Sequence, residues 1–422
     1  MENQIKLLII ADDLTGALDT GVQLSDRGIP ALVTTDLDFD FTSSNEVEAL
    51  VFDTESRHIP PQDAYDIVLR IVSAGKRRRI PYIYKKTDST LRGNIGSELS
   101  ALIDASGERP LPFAPAWPEN HRTIRDGTLF VDGVPLAETV FANDPLNPMT
   151  SSSVADIIAQ TSSCTIKAVP SAFCEAAYTG PASDILLFDA ETGGDMDRII
   201  SFLQEEGAIN TAAGCARFAQ IYPSLIDPGR TRSSLPVHPV EGGAMLLSGS
   251  LNTVSKKQAA WAAENLGFSH ITVGTAQLMS DAYFKSPEGL AYMDNLAGKF
   301  TDGGLVVRPY ENHTQSDSAP PVPDDIAARF IAAGMGRLAK NLLDRMADVG
   351  TLIVFGGDTL ICILRCLGVP IVRPLTQVTA GVVFSQIDYG GRMLNLITKA
   401  GGFGDDSLVK IVLDYVESPG AR

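Results

Sequence analysis

Asp12 and Asp13, then Arg57, then Lys86, Thr87, Asp88, Ser89 and Arg92 are residue types able to do chemistry on a small anion. Carboxylates bind hydroxyls and accept protons, while lysine and arginine pair with carboxylate or phosphate. Each group follows a short apolar run. Lys6 to Ala11 leads into Asp12-Asp13-Leu14-Thr15-Gly16. Ala49 to Phe52 leads into Asp53-Thr54-Glu55-Ser56-Arg57, and Tyr82 to Tyr84 into Lys85-Lys86-Thr87-Asp88-Ser89-Thr90-Leu91-Arg92-Gly93-Asn94. If these runs are strands of an open parallel sheet, their carboxyl ends share one edge, where ligands of such sheets bind. The expected site is a mixed-charge pocket for a small, polyhydroxylated anion. Asp12 and Asp13 admit three roles: binding hydroxyls, accepting a proton, or capping the following helix. The later run mixes charge, hydroxyl and Arg-Gly ahead of a helix, which suits carboxylate or phosphate binding better than folding alone.

The second half carries a different signal. Ser248-Gly249-Ser250, Gly356-Gly357-Asp358-Thr359 and Gly401-Gly402-Phe403-Gly404 each follow an expected strand and precede an expected helix. Glycines there let a ligand approach the backbone, and free N–H groups at a helix start cradle phosphate. A tight turn explains any one of them; three together point to a nucleotide. No GxxxxGK[ST] is present, which excludes a Walker-type phosphate loop. Gly334 to Ala339 fits GxGxxA, but it falls inside an expected helix and is not a dinucleotide site.

These residues need a frame. Apolar periodicity predicts a helix from Leu14 to near Gly28, a second over Pro61 to Lys76 and a third over Ile95 to Ala105, followed by an apolar run Leu111 to Ala116. That βαβαβ alternation predicts a parallel sheet with right-handed crossovers. Leu129 to Leu136, with Asp132-Gly133 at its centre, reads as a hairpin within an insert rich in proline and glycine. A strand over Leu186 to Asp189 and a helix over Asp195 to Glu206 follow. Pro223 to Gly243 holds four prolines and three glycines and reads as a linker. The expectation is two α/β domains with mostly parallel sheets, 1–228 and 229–422. In the second, strands are expected over Ala244 to Leu247, Thr351 to Phe355 and Leu394 to Lys399. Helices are expected over Thr253 to Leu266 and Asp324 to Ala347, with a surface loop over Glu311 to Pro323.

Composition narrows the function. Lys and Arg total 34 against 51 Asp and Glu, a net charge of −17, which argues against nucleic acid as a partner. No apolar run approaches the roughly 20 residues that span a bilayer. The first residues hold no long apolar run or small-residue cleavage site, so a cytoplasmic location is expected. Five cysteines without a CxxC pair, and five histidines without HExxH, speak against a disulfide scaffold and a zinc site. Cys362 and Cys366 lie four apart in an apolar helical stretch and read as packing. The basic run Lys76 to Arg79 ends a helix and suits its dipole.

ADDLTGALDTG, YKKTDSTLRGN, PAWPENHRT, SGSLNTVSKKQ, VFGGDT and KAGGFG, in that order, resemble the four-carbon acid sugar kinases over nearly the whole chain. The resemblance implies an N-terminal domain that binds an acid sugar, a C-terminal domain that binds ATP, and a site in the cleft between them. The implied reaction is ATP-dependent phosphorylation of the terminal hydroxyl of a tetronate. The family's sugar-acid contacts fall on Asp12, Asp13, Arg57, Lys86, Thr87, Asp88 and Ser89. Its ATP contacts fall on Ser250, Gly356, Gly357, Asp358, Thr359 and Gly402. The family often has glycine where this chain has His121, which bears on substrate choice. The Asp19 to Gln23 run looks more like the threonate and erythronate kinases than the 3-oxo-tetronate kinases, and D-threonate is the expected substrate. In that reading Lys86 and Arg57 hold the substrate carboxylate, Asp13 or Asp88 accepts the proton, and Mg²⁺ arrives with ATP. A non-catalytic sugar-acid sensor would need only the first-half clusters. A dehydrogenase would need a correctly placed GxGxxG, which is absent. A homodimer is left open.

Overall fold

The computed structural model describes every residue except 1–4, 44–46, 145, 177, 180, 230–234, 251, 301–303, 311–323, 400 and 419–422. The expected surface loop Glu311 to Pro323 therefore lies outside the described residues. The chain divides into two compact units, Met1–Ser233 and Ser234–Arg422. At the start of the proline-rich stretch expected as linker, the structure has a short helix, Tyr222–Ile226.

The first unit contains β1 (Leu7–Ala11), β2 (Ala31–Thr34), β3 (Ala49–Asp53), β4 (Tyr82–Lys86), β5 (Leu111–Ala114), β6 (Arg122–Arg125), β7 (Thr128–Val131), β8 (Val134–Pro135), β9 (Ile166–Val169), β10 (Ile185–Phe188) and β11 (Thr211–Gly214). Its main sheet runs β2-β3-β1-β4-β11-β5-β10-β9, with every neighbouring pair parallel. β1, β2, β3 and β5 are buried at every residue, as strands covered on both faces must be. The crossover from β3 to β4 is the helix Pro61–Arg77, which passes β1 and returns the chain on its other side. That reversal makes the carboxyl ends of β3, β1 and β4 adjoin, and it is the switch point at which such sheets take ligands.

The insert is more elaborate than the expected hairpin. β7 and β8 turn through Asp132 and Gly133, both at positive φ (52° and 78°), as a two-residue hairpin turn requires. β6 adds a third antiparallel strand.

The second unit contains β12 (Gly243–Ser248), β13 (Ser269–Val273), β14 (Leu305–Pro309), β15 (Val349–Phe355), β16 (Ile371–Thr379), β17 (Val382–Tyr389) and β18 (Arg392–Lys399). β13-β14-β12-β15-β18 are mutually parallel, whereas β17 and β16 continue the sheet antiparallel. The antiparallel arm was not expected. Its connections are two residues long, Ala380-Gly381 and Gly390-Gly391, and a parallel return needs a dozen or more. Gly381, Gly390 and Gly391 all take positive φ there. The helix Asp324–Leu343 contains Gly334 to Ala339, so that motif does lie inside a helix. No helix among the described residues is long and apolar enough to cross a membrane.

One buried ion pair fastens the site-bearing part of the first unit. Lys85 on β4 meets Glu98 on the helix Ile95–Ser106 at 3.0 Å, with side chains 0% and 1% exposed. Glu98 also accepts from the Ser56 hydroxyl, so β4, its following helix and the end of β3 are tied together. Removing one partner strands the other charge. Lys85→Met is expected to cost about 3–5 kcal/mol in urea unfolding. Lys85→Met/Glu98→Gln should recover part of that loss; equal losses would show that charge pairing is not what holds this junction.

Candidate functional site

The register aligns Ala11 with Asp53 on one side and with Lys86 on the other, so the three polar runs leave the sheet side by side. Arg57 sits on a single helical turn, Ser56–His58. The Asn94 amide grips that turn by donating to the Ser56 and Ile59 carbonyls, both at 2.8 Å. Gly93, at φ +90°, presses against it: a Cβ there would lie 2.8 Å from Arg57 Cγ. The guanidinium so held meets all three runs. Nε donates to Asp12 Oδ2 at 2.7 Å, and Nη2 lies 3.0 Å from Asp13 Oδ1 and 3.7 Å from Asp88 Oδ1.

The three acids differ in what they can do. Asp88 is gripped by Arg92, with Nε to Oδ2 at 2.8 Å and Nη2 to Oδ1 at 3.1 Å, and by the Thr90 hydroxyl. Burial opposes its ionisation, but Arg57 and Arg92 hold the carboxyl well below its usual range. Arg92 also reaches Asp144 at 3.1 Å. Asp12 is likewise lowered: burial opposes ionisation, and Arg57, Lys85 and Lys86 outweigh it. Asp13 caps the helix Leu14–Ser25 by accepting from Gly16 N at 3.0 Å. Both the cap and the Arg57 contact use Oδ1, so Oδ2 is free of partners among the described residues. Its side chain is 27% exposed, against 2% for Asp12 and 11% for Asp88. Of the two acids expected as proton acceptors, Asp13 keeps one carboxylate oxygen without a partner among the described residues, whereas both oxygens of Asp88 accept hydrogen bonds.

Beside them stands a cation with no acid partner. Lys86 is 6% exposed and makes no ion pair among the described residues. A Cβ on Gly16 would fall 2.6 Å from Lys86 Nζ and 2.6 Å from Asp13 Oδ1, so only glycine allows this approach. Thr87 Oγ1 and Asp12 Oδ1 are buried without a hydrogen-bond partner. Buried polar atoms without partners are uncommon, and a ligand or an ordered water would supply the missing bond. Ser89 is half-buried at the same edge.

Sequence reasoning named Asp19, Asp53 and Asn94 only as parts of longer runs, without a role of their own, and passed over Glu98. Asp53 is buried beside Glu55, Asp13 and Asp12, and its carboxyl is pushed well up. Burial pushes Asp19 up to about 6, with Lys86 pulling the other way. The available signal for Asp19 was that it is the one charged residue of the helix Leu14–Ser25. His121 is exposed at φ 56°, a left-handed conformation that glycine adopts without strain.

In the second unit the small-residue loops adjoin. A Cβ on Gly249 would lie 2.1 Å from Thr359 Oγ1, so the first loop packs directly on the start of the helix Gly357–Leu367. That helix has no side-chain cap, and Gly356 precedes it at φ 110°. A Cβ on Gly356 would lie 3.6 Å from Ser250 N, and one on Gly402 3.4 Å from the Asn252 amide. Gln258 donates to the Phe403 and Asp405 carbonyls at 3.0 and 2.9 Å, tying the third loop to the helix Thr253–Asn265. Asp358 is exposed and Thr359 buried. Ser250, Gly356, Gly357, Asp358, Thr359 and Gly402 are thus gathered at neighbouring strand ends.

Residues 7–220 match the family described as a sugar-binding N-terminal domain, and residues 245–409 the family described as a nucleotide-binding C-terminal domain. The chain belongs to the four-carbon acid sugar kinase family. Among kinases of this family, a Salmonella typhimurium protein named D-threonate kinase is 29% identical over 98% of this chain and 99% of its own length. A Heliobacterium modesticaldum protein named D-erythronate kinase is 27% identical over 97% of each. A solved structure from Salmonella typhimurium LT2 shares the fold, with a TM-score of 0.80 at 22% identity over 96% of this chain and 98% of that one.

The electrostatics of the sugar-binding domain give a pH dependence with a defined sign. Asp88 ionises in the folded protein well below its ordinary 3.8. Its stabilisation is therefore present above that ordinary value and is lost as pH falls through the folded one. Asp88→Asn should lower the thermal midpoint at neutral pH, and the gap to the parent should narrow as the medium is acidified below the ordinary carboxylate range.

Proposed function

We propose that this chain is an ATP-dependent kinase that phosphorylates the 4-hydroxyl of D-threonate in sugar-acid catabolism. The observation that carries the reading is the buried Lys86 ammonium, which makes no ion pair among the described residues, at the edge that also holds the open Oδ2 of Asp13 and the unpartnered Thr87 hydroxyl. A tetronate offers a carboxylate for the first and hydroxyls for the others. The 29% identity to a D-threonate kinase supports the substrate.

In this mechanism Lys86 holds the carboxylate, which fixes the chain of hydroxyls relative to Asp13. Thr87, Asp12 Oδ1 and Ser89 hydrogen-bond the hydroxyls. Asp13 Oδ2 accepts the proton of the reacting hydroxyl. Arg57 is committed to Asp12, Asp13 and Asp88, so its role is to hold the acids rather than to be the main carboxylate anchor. Asp88 and Arg92 brace it.

ATP would be held by Ser250, by Gly356 to Thr359 and by Gly402, whose close packing leaves backbone N–H groups at a helix start for phosphate. Mg²⁺, which neutralises phosphate charge, would be carried in on the nucleotide. Among the described residues no group of three His, Cys, Asp or Glu side chains is arranged to cage it. We place the enzyme in the cytoplasm, where ATP is available.

Release of ADP with D-threonate, D-erythronate and 3-oxo-tetronate tests the reading. D-threonate should give the highest kcat/KM. No ADP release above the substrate-free rate with any of them would favour a sugar-acid sensor instead. Asp13→Asn should lower kcat by roughly 10²- to 10⁴-fold with KM little changed. Lys86→Met should act chiefly by raising KM for the tetronate.

A further inference from the structure

The last rung of the parallel part of the second sheet carries two polar groups where the rung two residues back on the same face carries none. Ser248 on β12 pairs with Phe355 on β15, which pairs with Lys399 on β18. Two residues back, the corresponding rung is Leu246, Ile353 and Ile397, all within the core beneath the helices Thr253–Asn265 and Leu408–Glu417. Side chains two apart on a strand share a face. Ser248 and Lys399 therefore extend that core face to the carboxyl edge, beneath the small-residue loops.

Neither polar group is satisfied by the protein. Lys399 is 4% exposed, its ammonium lies 5.0 Å from the centre of the Phe355 ring, and it donates to the Gly401 carbonyl. An ammonium has three donors, and no carboxylate pairs with this one among the described residues. Burial alone pushes it down to about 8. Ser248 is 1% exposed, and its hydroxyl has no hydrogen-bond partner. The charged groups on surrounding elements leave Lys399 alone. Asp358, Asp405 and Asp406 form no ion pair with it, Lys410 is paired with Asp414, and Lys256 and Lys257 carry its own sign.

We propose that Lys399 and Ser248 form the anion-binding floor of the nucleotide site, with the Lys399 ammonium donating to the phosphate chain. The proposal rests on the reading of this domain as nucleotide-binding and adds residues to it. A multi-acceptor anion above the rung would satisfy both groups at once, and the uncapped helix start at Gly357 lies two residues after Phe355, the middle residue of the rung. Lys399 is a binding residue in this role. The anion's charge favours the protonated amine, so binding at mildly alkaline pH draws a proton from solution.

Calorimetric titration of the intact protein with ADP at mildly alkaline pH, in buffers of different ionisation enthalpy, tests this. Proton uptake by the parent is expected. Lys399→Met should abolish the uptake and weaken ADP binding roughly ten- to hundredfold. Lys399→Arg should keep most of the affinity but show no uptake, since arginine stays charged. ADP binding by the parent without uptake, or unchanged affinity in Lys399→Met, would overturn the proposal. Failure of the parent to bind ADP at all would instead overturn the nucleotide reading, and the proposal with it. The parent's own uptake needs no variant, so poor folding of a variant does not block the test.

Discussion

The first unit's binding edge depends on one guanidinium. Arg57 stands where three chain segments end with carboxylates turned toward one another, an arrangement that like charges would push apart. Buried arginine stays ionised where lysine or histidine would lose its proton, and its planar fork meets more than one carboxylate at a time. The surrounding structure serves to keep it in place. Asn94 pins the turn beneath it, Gly93 gives its stem room, and Glu98 reaches the preceding Ser56. With the acids so held, the Lys86 ammonium makes no ion pair among the described residues.

Much of this edge was legible in the sequence because parallel topology turns strand ends into neighbours. Asp12, Arg57 and Asp88 are far apart in the chain, yet the alternation of strands and helices was enough to bring them to one edge. The division of labour among them was not legible. Asp13 and Asp88 look alike as residue types. The difference is that Arg92, four residues on, folds back onto Asp88, while Asp13 turns only one oxygen inward. Arg57 reads in sequence as a substrate anchor, and only the geometry shows it bound to three acids. Glu98 was missed because a buried acid leaves no pattern of its own, and Asp53 was named only as part of its run.

The second unit was legible for a different reason. Glycine before a helix is a backbone statement: a side chain at Gly249 would crowd the neighbouring loop, and one at Gly356 would be strained. The antiparallel arm was missed, although Gly390-Gly391 between two extended runs is a hairpin signal. Lys399 was hidden by its motif: next to Ala-Gly-Gly it reads as the end of a strand, and only the cross-strand register places it beside Ser248.

The sheet order also orders events during synthesis. β11, made after residue 210, inserts between β4 and β5, which are made far earlier. Until it emerges, β4, the strand that ends in Lys86, has an unpaired edge. Gly214 then accepts from Thr87 N, and Tyr84 donates to the Cys215 carbonyl at 2.6 Å. A ribosome that has released only the first half of this unit has therefore exposed every residue of the anion pocket without the strand that closes its frame. Such an open edge is a pairing hazard, and this nascent chain carries it over more than a hundred further residues.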